Sequence, residues 1–131
     1  MKNYSLILKI AGVLNLLFLL FHLPFYWMFN WSETLSCLND DNRNILLTFN
    51  VIGNLLLLYF TINLLFFTKQ LVANSIGKLF LLLVASFYGI RIFAEFYFWS
   101  FDGTKSVVLI GLCAIPMVCC LIPVIMGDRK K

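Results

Sequence analysis

Charged residues are scarce in this sequence: they make up only 12% of its 131 residues, whereas 62% of the residues are hydrophobic. Soluble domains typically contain about 25% charged and roughly 45–50% apolar residues, so too few polar side chains are present to cover a water-soluble core. The basic excess, a formal net charge of +4, flanks the apolar segments and does not form a stripe. This distribution argues against a nucleic-acid-binding surface, and the sequence predicts no nucleic-acid partner.

Residues that usually carry catalysis or bind cofactors are also few. The single histidine, His22, cannot provide a two-histidine haem site within one chain, and no second obvious metal ligand accompanies it. The four cysteines contain no Cys-x-x-Cys pair, which argues against a thiol–disulfide oxidoreductase. Gly-rich phosphate loops and serine-nucleophile motifs are absent as well. The sequence therefore predicts no cofactor, no metal and no catalytic residue, and it favours a role other than that of an enzyme.

Long apolar runs are what the sequence has in abundance. Four segments of about 20 residues or more are each long enough to cross a hydrocarbon core of roughly 30 Å as a helix. They cover residues 10–29, 45–67, 79–99 and 107–126. Helices are expected because an isolated strand cannot satisfy its own backbone in lipid. Since the loops are short, the sequence predicts one all-α domain over residues 1–131, an antiparallel bundle of four transmembrane helices.

Basic residues are distributed unevenly between the two ends of these segments. If the N-terminus is cytoplasmic, the basic residues on the inner side are Lys2, Lys9, Lys69, Lys78, Arg129, Lys130 and Lys131. Arg43 and Lys105 then lie outside, and Arg91 falls within the third segment. Such a bias is typical of multi-pass proteins, whose cytoplasmic loops are rich in Lys and Arg. We therefore expect both termini in the cytoplasm and a location in the cell membrane, as a multi-pass protein of a bacterial inner membrane.

Polar side chains inside the apolar segments are costly and therefore informative. Arg91 and Glu95 are four residues apart, so they share one face of the third helix and should form an ion pair. A rise of about 1.5 Å per residue places His22, Asn50, Arg91 and Glu95 roughly 6–12 Å below the outer boundary, with Asn54 somewhat deeper, and Tyr88 lies three residues before Arg91 on the same helix face. The candidate ligand-binding site therefore comprises His22, Asn50, Asn54, Tyr88, Arg91 and Glu95.

Two interpretations of this polar cluster remain open. In one, the ion pair and the neighbouring amides only fix which helices pack together. In the other, the same groups face a cavity open to the outer leaflet and bind a lipid or a small amphipathic ligand. Arg91 would then hold an anionic group, Glu95 would set the rotamer of Arg91, and His22 would donate or accept a proton.

Aromatic residues are concentrated at the outer ends of the first and third segments, over residues 25–31 and 96–101. Trp and Tyr collect at membrane interfaces, so an aromatic belt is the simplest explanation. The alternative explanation is an aromatic mouth that leads to a ligand site.

The fourth segment, residues 107–126, suggests a different role because it contains no charged residue. Ser106, Gly111, Cys113 and Ala114 provide small side chains through which this helix could contact a partner helix. The alternative to ligand binding is therefore a non-catalytic accessory subunit of a larger membrane complex, or a homo-oligomer, with this helix as the contact. An oligomeric channel or small transporter is the third alternative. The inner half of the bundle, however, contains few polar residues that could line a path across the membrane.

Two stretches of sequence carry a resemblance to known proteins. Residues 21–27 read Phe-His-Leu-Pro-Phe-Tyr-Trp, and residues 91–96 read Arg-Ile-Phe-Ala-Glu-Phe. With this arrangement the chain resembles, over nearly its whole length, small four-helix bacterial membrane proteins of uncharacterised function. In architecture it is also similar to DoxX-like proteins and to the emopamil-binding sterol-isomerase group. The resemblance implies a four-helix membrane fold and no particular activity.

Overall fold

The computed structural model describes residues 4–99 and 101–127, and these form helices with no strand among them. Within this part of the chain the helices are α1 Tyr4–His22, α2 Phe25–Met28, α3 Trp31–Thr34, α4 Asp40–Phe66, α5 Thr68–Ala73, α6 Ser75–Tyr97 and α7 Gly103–Gly127. Helices α1, α4, α6 and α7 are long and apolar enough to cross a membrane. The predicted all-α fold is confirmed, and the four helices indicate an integral, multi-pass membrane protein. Lys2, Arg129, Lys130 and Lys131, on which part of the orientation argument depends, lie outside the described residues.

The helix boundaries follow local side-chain chemistry. The side chain of Asn39 accepts a hydrogen bond from the backbone N–H of Asn42 (2.9 Å) and thereby caps α4. The side chain of Asn74 caps α6 in the same way, through the N–H of Gly77 (2.7 Å). Helix α1 ends at His22, although the apolar segment predicted for it extends to residue 29, because Pro24 has no N–H with which to continue the helix. The chain turns there and continues as α2 and α3.

Helix α1 packs against α4, and a glycine lets the two backbones approach closely. A Cβ atom added to Gly12 would lie 2.7 Å from Cδ2 of Leu65, so no larger residue fits there without a shift. Near the N-terminal end of α1, the hydroxyl oxygens of Ser5 and Thr68 are 2.9 Å apart. Helix α1 therefore contacts the late part of α4 through Gly12, and it contacts α5, which begins at Thr68, through Ser5.

Helix α7 packs against both α6 and α1, and its small residues divide between its two faces. Ser106 and Cys113 are buried within the bundle, whereas Gly111 is exposed. The outward face consists largely of aliphatic residues, including Val108, Leu112 and Ile115. Two of the small residues that the sequence offered for a partner helix are therefore used inside the protein itself.

Helices α4 and α6 are joined mainly by aromatic side chains. The ring of Phe60 contacts those of Phe80 and Phe87, with centroids 5.7 and 5.4 Å apart, while over the described residues the two backbones make no extensive contact. At one end of the bundle, residues 23–39 connect α1 to α4. We call this end of the molecule the connection end.

Candidate functional site

A cavity of about 880 Å³ lies at the connection end, between α1, α4 and α6. Its wall is mainly aromatic and aliphatic, with Phe18, Phe25, Phe49, Phe87 and Trp99 among the lining residues, and α7 adds Leu109 and Cys113. The polar side chains of α1, α4 and α6 interrupt this apolar wall. A largely apolar cavity with a few convergent polar groups is typical of sites that bind small molecules.

The structure brings five of the six predicted site residues together around this cavity. The lining includes His22, Asn50, Asn54, Tyr88 and Arg91. Glu95 is not part of the lining, because it lies behind Arg91 and its side chain is only 8% exposed. Five side chains that the sequence placed at similar depths therefore line one cavity. They differ in how many of their hydrogen-bonding atoms have a partner.

Glu95 is held by partners from two helices. Its Oε2 accepts a hydrogen bond from Nη1 of Arg91 (2.9 Å), which confirms the predicted ion pair. Its Oε1 accepts a hydrogen bond from the hydroxyl of Ser106 (2.7 Å), a fully buried residue of α7. The Ser106 oxygen in turn accepts the backbone N–H of Asp102 (2.8 Å). Glu95 therefore links α6 to α7 and fixes the position of Arg91, with both carboxylate oxygens occupied.

Arg91 lies between this carboxylate and the cavity. Its guanidinium carbon is 5.8 Å from the ring centroid of Trp99, a distance at which a cation–π attraction contributes. A guanidinium has five N–H donors, and only the one bond to Glu95 is made to a described residue. Arg91 is one of the residues that line the cavity, and its side chain is 34% exposed.

His22 presents one nitrogen to a backbone carbonyl. Its Nδ1 lies 2.7 Å from the carbonyl oxygen of Phe18, and because a carbonyl can only accept, Nδ1 must be the donor. The ring is held against Phe25, with centroids 4.3 Å apart. Nε2 has no hydrogen-bond partner within residues 4–99 and 101–127, and His22 is one of the residues that line the cavity.

The two asparagines of α4 that line the cavity, Asn50 and Asn54, are bonded to each other and not to other helices. Nδ2 of Asn54 donates to Oδ1 of Asn50 (3.1 Å). Oδ1 of Asn54 is buried and has no partner among the described residues. Gly53, which lies between them in the lining, leaves open space where a side chain would project. An unpaired buried carbonyl is unusual in a native structure and indicates an incomplete polar site.

Tyr88 takes part in a buried hydrogen-bond network around Asn15, whose partners could not be predicted from the sequence. Its hydroxyl donates to Oδ1 of Asn15 (2.5 Å), while Nδ2 of Asn15 donates to the carbonyl of Leu57 and to Oγ1 of Thr61, both at 2.6 Å. These residues join α6, α1 and α4 below the cavity. The only available signal was the rarity of amides in α1, and it did not specify a partner. The ring of Tyr88 lines the cavity, but its hydroxyl stabilises the bundle.

We expect Arg91→Leu to destabilise the protein, because it leaves the buried Glu95 carboxylate with Ser106 as its one remaining side-chain partner. The double variant Arg91→Leu/Glu95→Leu should recover most of the loss, since no unpaired charge then remains. Equilibrium unfolding in mixed micelles would measure both effects. Arg43→Leu is the matched control, because the Arg43–Asp40 pair is far more exposed and should matter little. A double variant that loses as much stability as both single variants together would contradict this explanation.

The arrangement is suited to binding. Its open groups are an imidazole nitrogen, an amide and a guanidinium, all of which are hydrogen-bond partners for a polar head group. No group of three or more His, Cys, Asp or Glu side chains that could hold a metal ion occurs in the part of the chain that the structure describes. In comparisons with known proteins, no family model, curated protein or solved structure matches this chain.

Proposed function

We propose that this protein binds a lipid or a small amphipathic ligand in the cavity at the connection end. The polar head of the ligand would lie against His22, Asn50, Asn54 and Arg91, and its apolar part would lie among the aromatic side chains. One observation carries this proposal: polar groups with unused hydrogen-bonding capacity, from three helices, line a single cavity of about 880 Å³. Cavities of roughly 300–1,000 Å³ are the usual size for small-molecule sites.

The contrast between two sets of polar residues supports binding over a purely structural role. Asn15 and Glu95 are buried, and each is hydrogen-bonded to another helix as structural polar residues are: Asn15 to α4 and α6, and Glu95 to Ser106 of α7. Asn54 and His22 make hydrogen bonds only within their own helices. A buried carbonyl left without a partner destabilises the fold by about 1–3 kcal/mol. A cluster that served only helix packing would have no reason to include one.

The proposal includes an orientation in the membrane. We infer that the long helices alternate in direction and that both termini lie in the cytoplasm of a bacterial cell, so that the cavity is in the outer half of the inner membrane. The close approach of Gly12 to Leu65, and the hydrogen bond of Asn15 to the carbonyl of Leu57, support an antiparallel α1–α4 pair. Along the sequence, Lys and Arg are more numerous at the N-terminus, between the second and third apolar segments and after the fourth than beside the other segment ends, which supports the cytoplasmic position of the termini.

Native mass spectrometry on protein extracted gently from its own membrane tests the proposal. We expect the wild type to carry a small molecule, which an absorption spectrum would help to classify, and we expect Asn54→Leu and His22→Phe to lose it. Asn63→Leu is the matched control, because Asn63 lies on the same helix, bonds only to the carbonyl of Tyr59 and does not line the cavity. A wild-type protein with a clean apo mass would contradict ligand binding. A mass shared with another protein would support the accessory-subunit alternative.

A further inference from the structure

We infer that the head group held in this cavity is an uncharged group that carries a hydroxyl, such as that of a long-chain alcohol, and is not an anion. This inference rests on the proposed function and names the chemical class of its ligand. It differs from the simplest expectation for a site that contains an arginine, which is a carboxylate or a phosphate. Three features of the cavity support it: the balance of charge, the hydrogen-bonding state of His22 and the free oxygen of Asn54.

The charge of the site is already balanced. Arg91 is the charged residue among those that line the cavity, and the Glu95 carboxylate lies 2.9 Å from its guanidinium. An anionic head group would therefore leave the site with a net negative charge inside a membrane-spanning bundle, where uncompensated charge is costly. Glu95 cannot move aside freely, because its other oxygen holds Ser106 and links α6 to α7. A neutral head group avoids this cost.

The free atoms at two positions are hydrogen-bond acceptors. Because Nδ1 of His22 donates to the Phe18 carbonyl, Nε2 of the neutral ring has only a lone pair to offer. Oδ1 of Asn54 is likewise an acceptor without a partner among the described residues, and Asn54 is one of the residues that line the cavity. A carboxylate or a phosphate dianion brings acceptors only and could not satisfy either atom.

A hydroxyl group matches this arrangement because it both donates and accepts. Its hydrogen can go to Nε2 of His22 or to Oδ1 of Asn54, while its oxygen accepts from a free N–H of Arg91 or from the amide of Asn50. A quaternary ammonium group offers no donor and would add positive charge beside Arg91. The polar lining therefore favours a hydroxyl over both kinds of charged head group.

The test is a titration of delipidated protein in nanodiscs with three probes that share one tail: dodecanol, dodecyl phosphate and dodecyltrimethylammonium. Native mass spectrometry would report the bound fraction. We expect dodecanol to bind about tenfold or more tightly than either charged probe, since one unmet buried hydrogen bond is worth about this factor. His22→Phe should weaken dodecanol binding by about tenfold, and Asn54→Leu provides a second variant should the first not fold. Asn63→Leu should change nothing.

The outcomes separate this inference from the function on which it rests. Tighter or equal binding of dodecyl phosphate would overturn the hydroxyl head group and leave a ligand-binding protein with an anionic ligand. Dodecanol binding that His22→Phe and Asn54→Leu leave unchanged would also overturn it. Failure of the folded wild type to bind any probe, together with a clean apo mass from its native membrane, would reject the proposed function itself.

Discussion

Asn15→Leu is expected to lower the free energy of unfolding by about 3 kcal/mol. This side chain is fully buried and makes three hydrogen bonds, to Tyr88, Thr61 and the carbonyl of Leu57. Interhelical hydrogen bonds in membranes average about 0.6 kcal/mol, with values up to about 1.7 kcal/mol. The substitution also leaves the hydroxyl of Tyr88, a residue that is only 2% exposed, without its acceptor, at a further cost of about 1–3 kcal/mol. Unfolding by denaturing detergent in mixed micelles would measure the loss.

A double-mutant cycle separates the hydrogen bonds from the change in volume. Adding Tyr88→Phe to Asn15→Leu removes the stranded hydroxyl and should recover about 1 kcal/mol. Tyr88→Phe alone should instead be destabilising. Asn63→Leu is the control, because Asn63 bonds only to its own helix and should change stability by about 0.5 kcal/mol or less. Strictly additive effects at positions 15 and 88 would show that the network contributes little.

Gly77→Ala should be comparably damaging, with a loss of about 3 kcal/mol. A Cβ atom at this position would lie 2.4 Å from the carbonyl oxygen of Leu71 and 2.5 Å from its Cα. These are backbone atoms, so the clash cannot be relieved by a side-chain rotation and requires α5 to move away from α6. Thermal unfolding in detergent would report the loss of stability.

A second glycine provides the matched control for this prediction. Gly111 of α7 has no heavy atom within 4 Å of an added Cβ. Gly111→Ala should therefore be neutral or should stabilise the helix by at most about 1 kcal/mol, because alanine restricts the unfolded chain more than glycine does. Equal losses in the two variants would imply that glycine is needed for a reason other than the close approach at Leu71.

The sequence was most informative where the bilayer imposes a length. A span needs about 20 apolar residues whatever its neighbours are, so the four long helices could be found by counting. The Arg91–Glu95 pair could be predicted for a similar reason, since residues four apart meet on any helix. The cavity residues were found because depth along a helix follows from its rise per residue.

Contacts between helices were much harder to predict. In a soluble protein an apolar stripe shows which face of a helix is buried. Here nearly every face is apolar, because side chains that face lipid are as apolar as those that face the core. The sequence therefore could not show that Tyr88 turns towards Asn15, or that Ser106 faces Glu95 and not a partner protein. It also could not separate the polar residues that are fully bonded from those that are open to the cavity.

The position of the tryptophans has a practical consequence. Trp31 and Trp99 line the cavity, and the third tryptophan of the chain, Trp27, is 75% exposed outside it. The indole of Trp99 also lies beside the Arg91 guanidinium, whose charge a bound head group would partly shield. Indole emission depends on local polarity and on nearby charge, so filling the cavity should change the fluorescence of two of the three indoles. Intrinsic tryptophan fluorescence should therefore report ligand binding without an added label. In a Trp27→Phe variant, the tryptophan signal would come only from the two indoles that line the cavity.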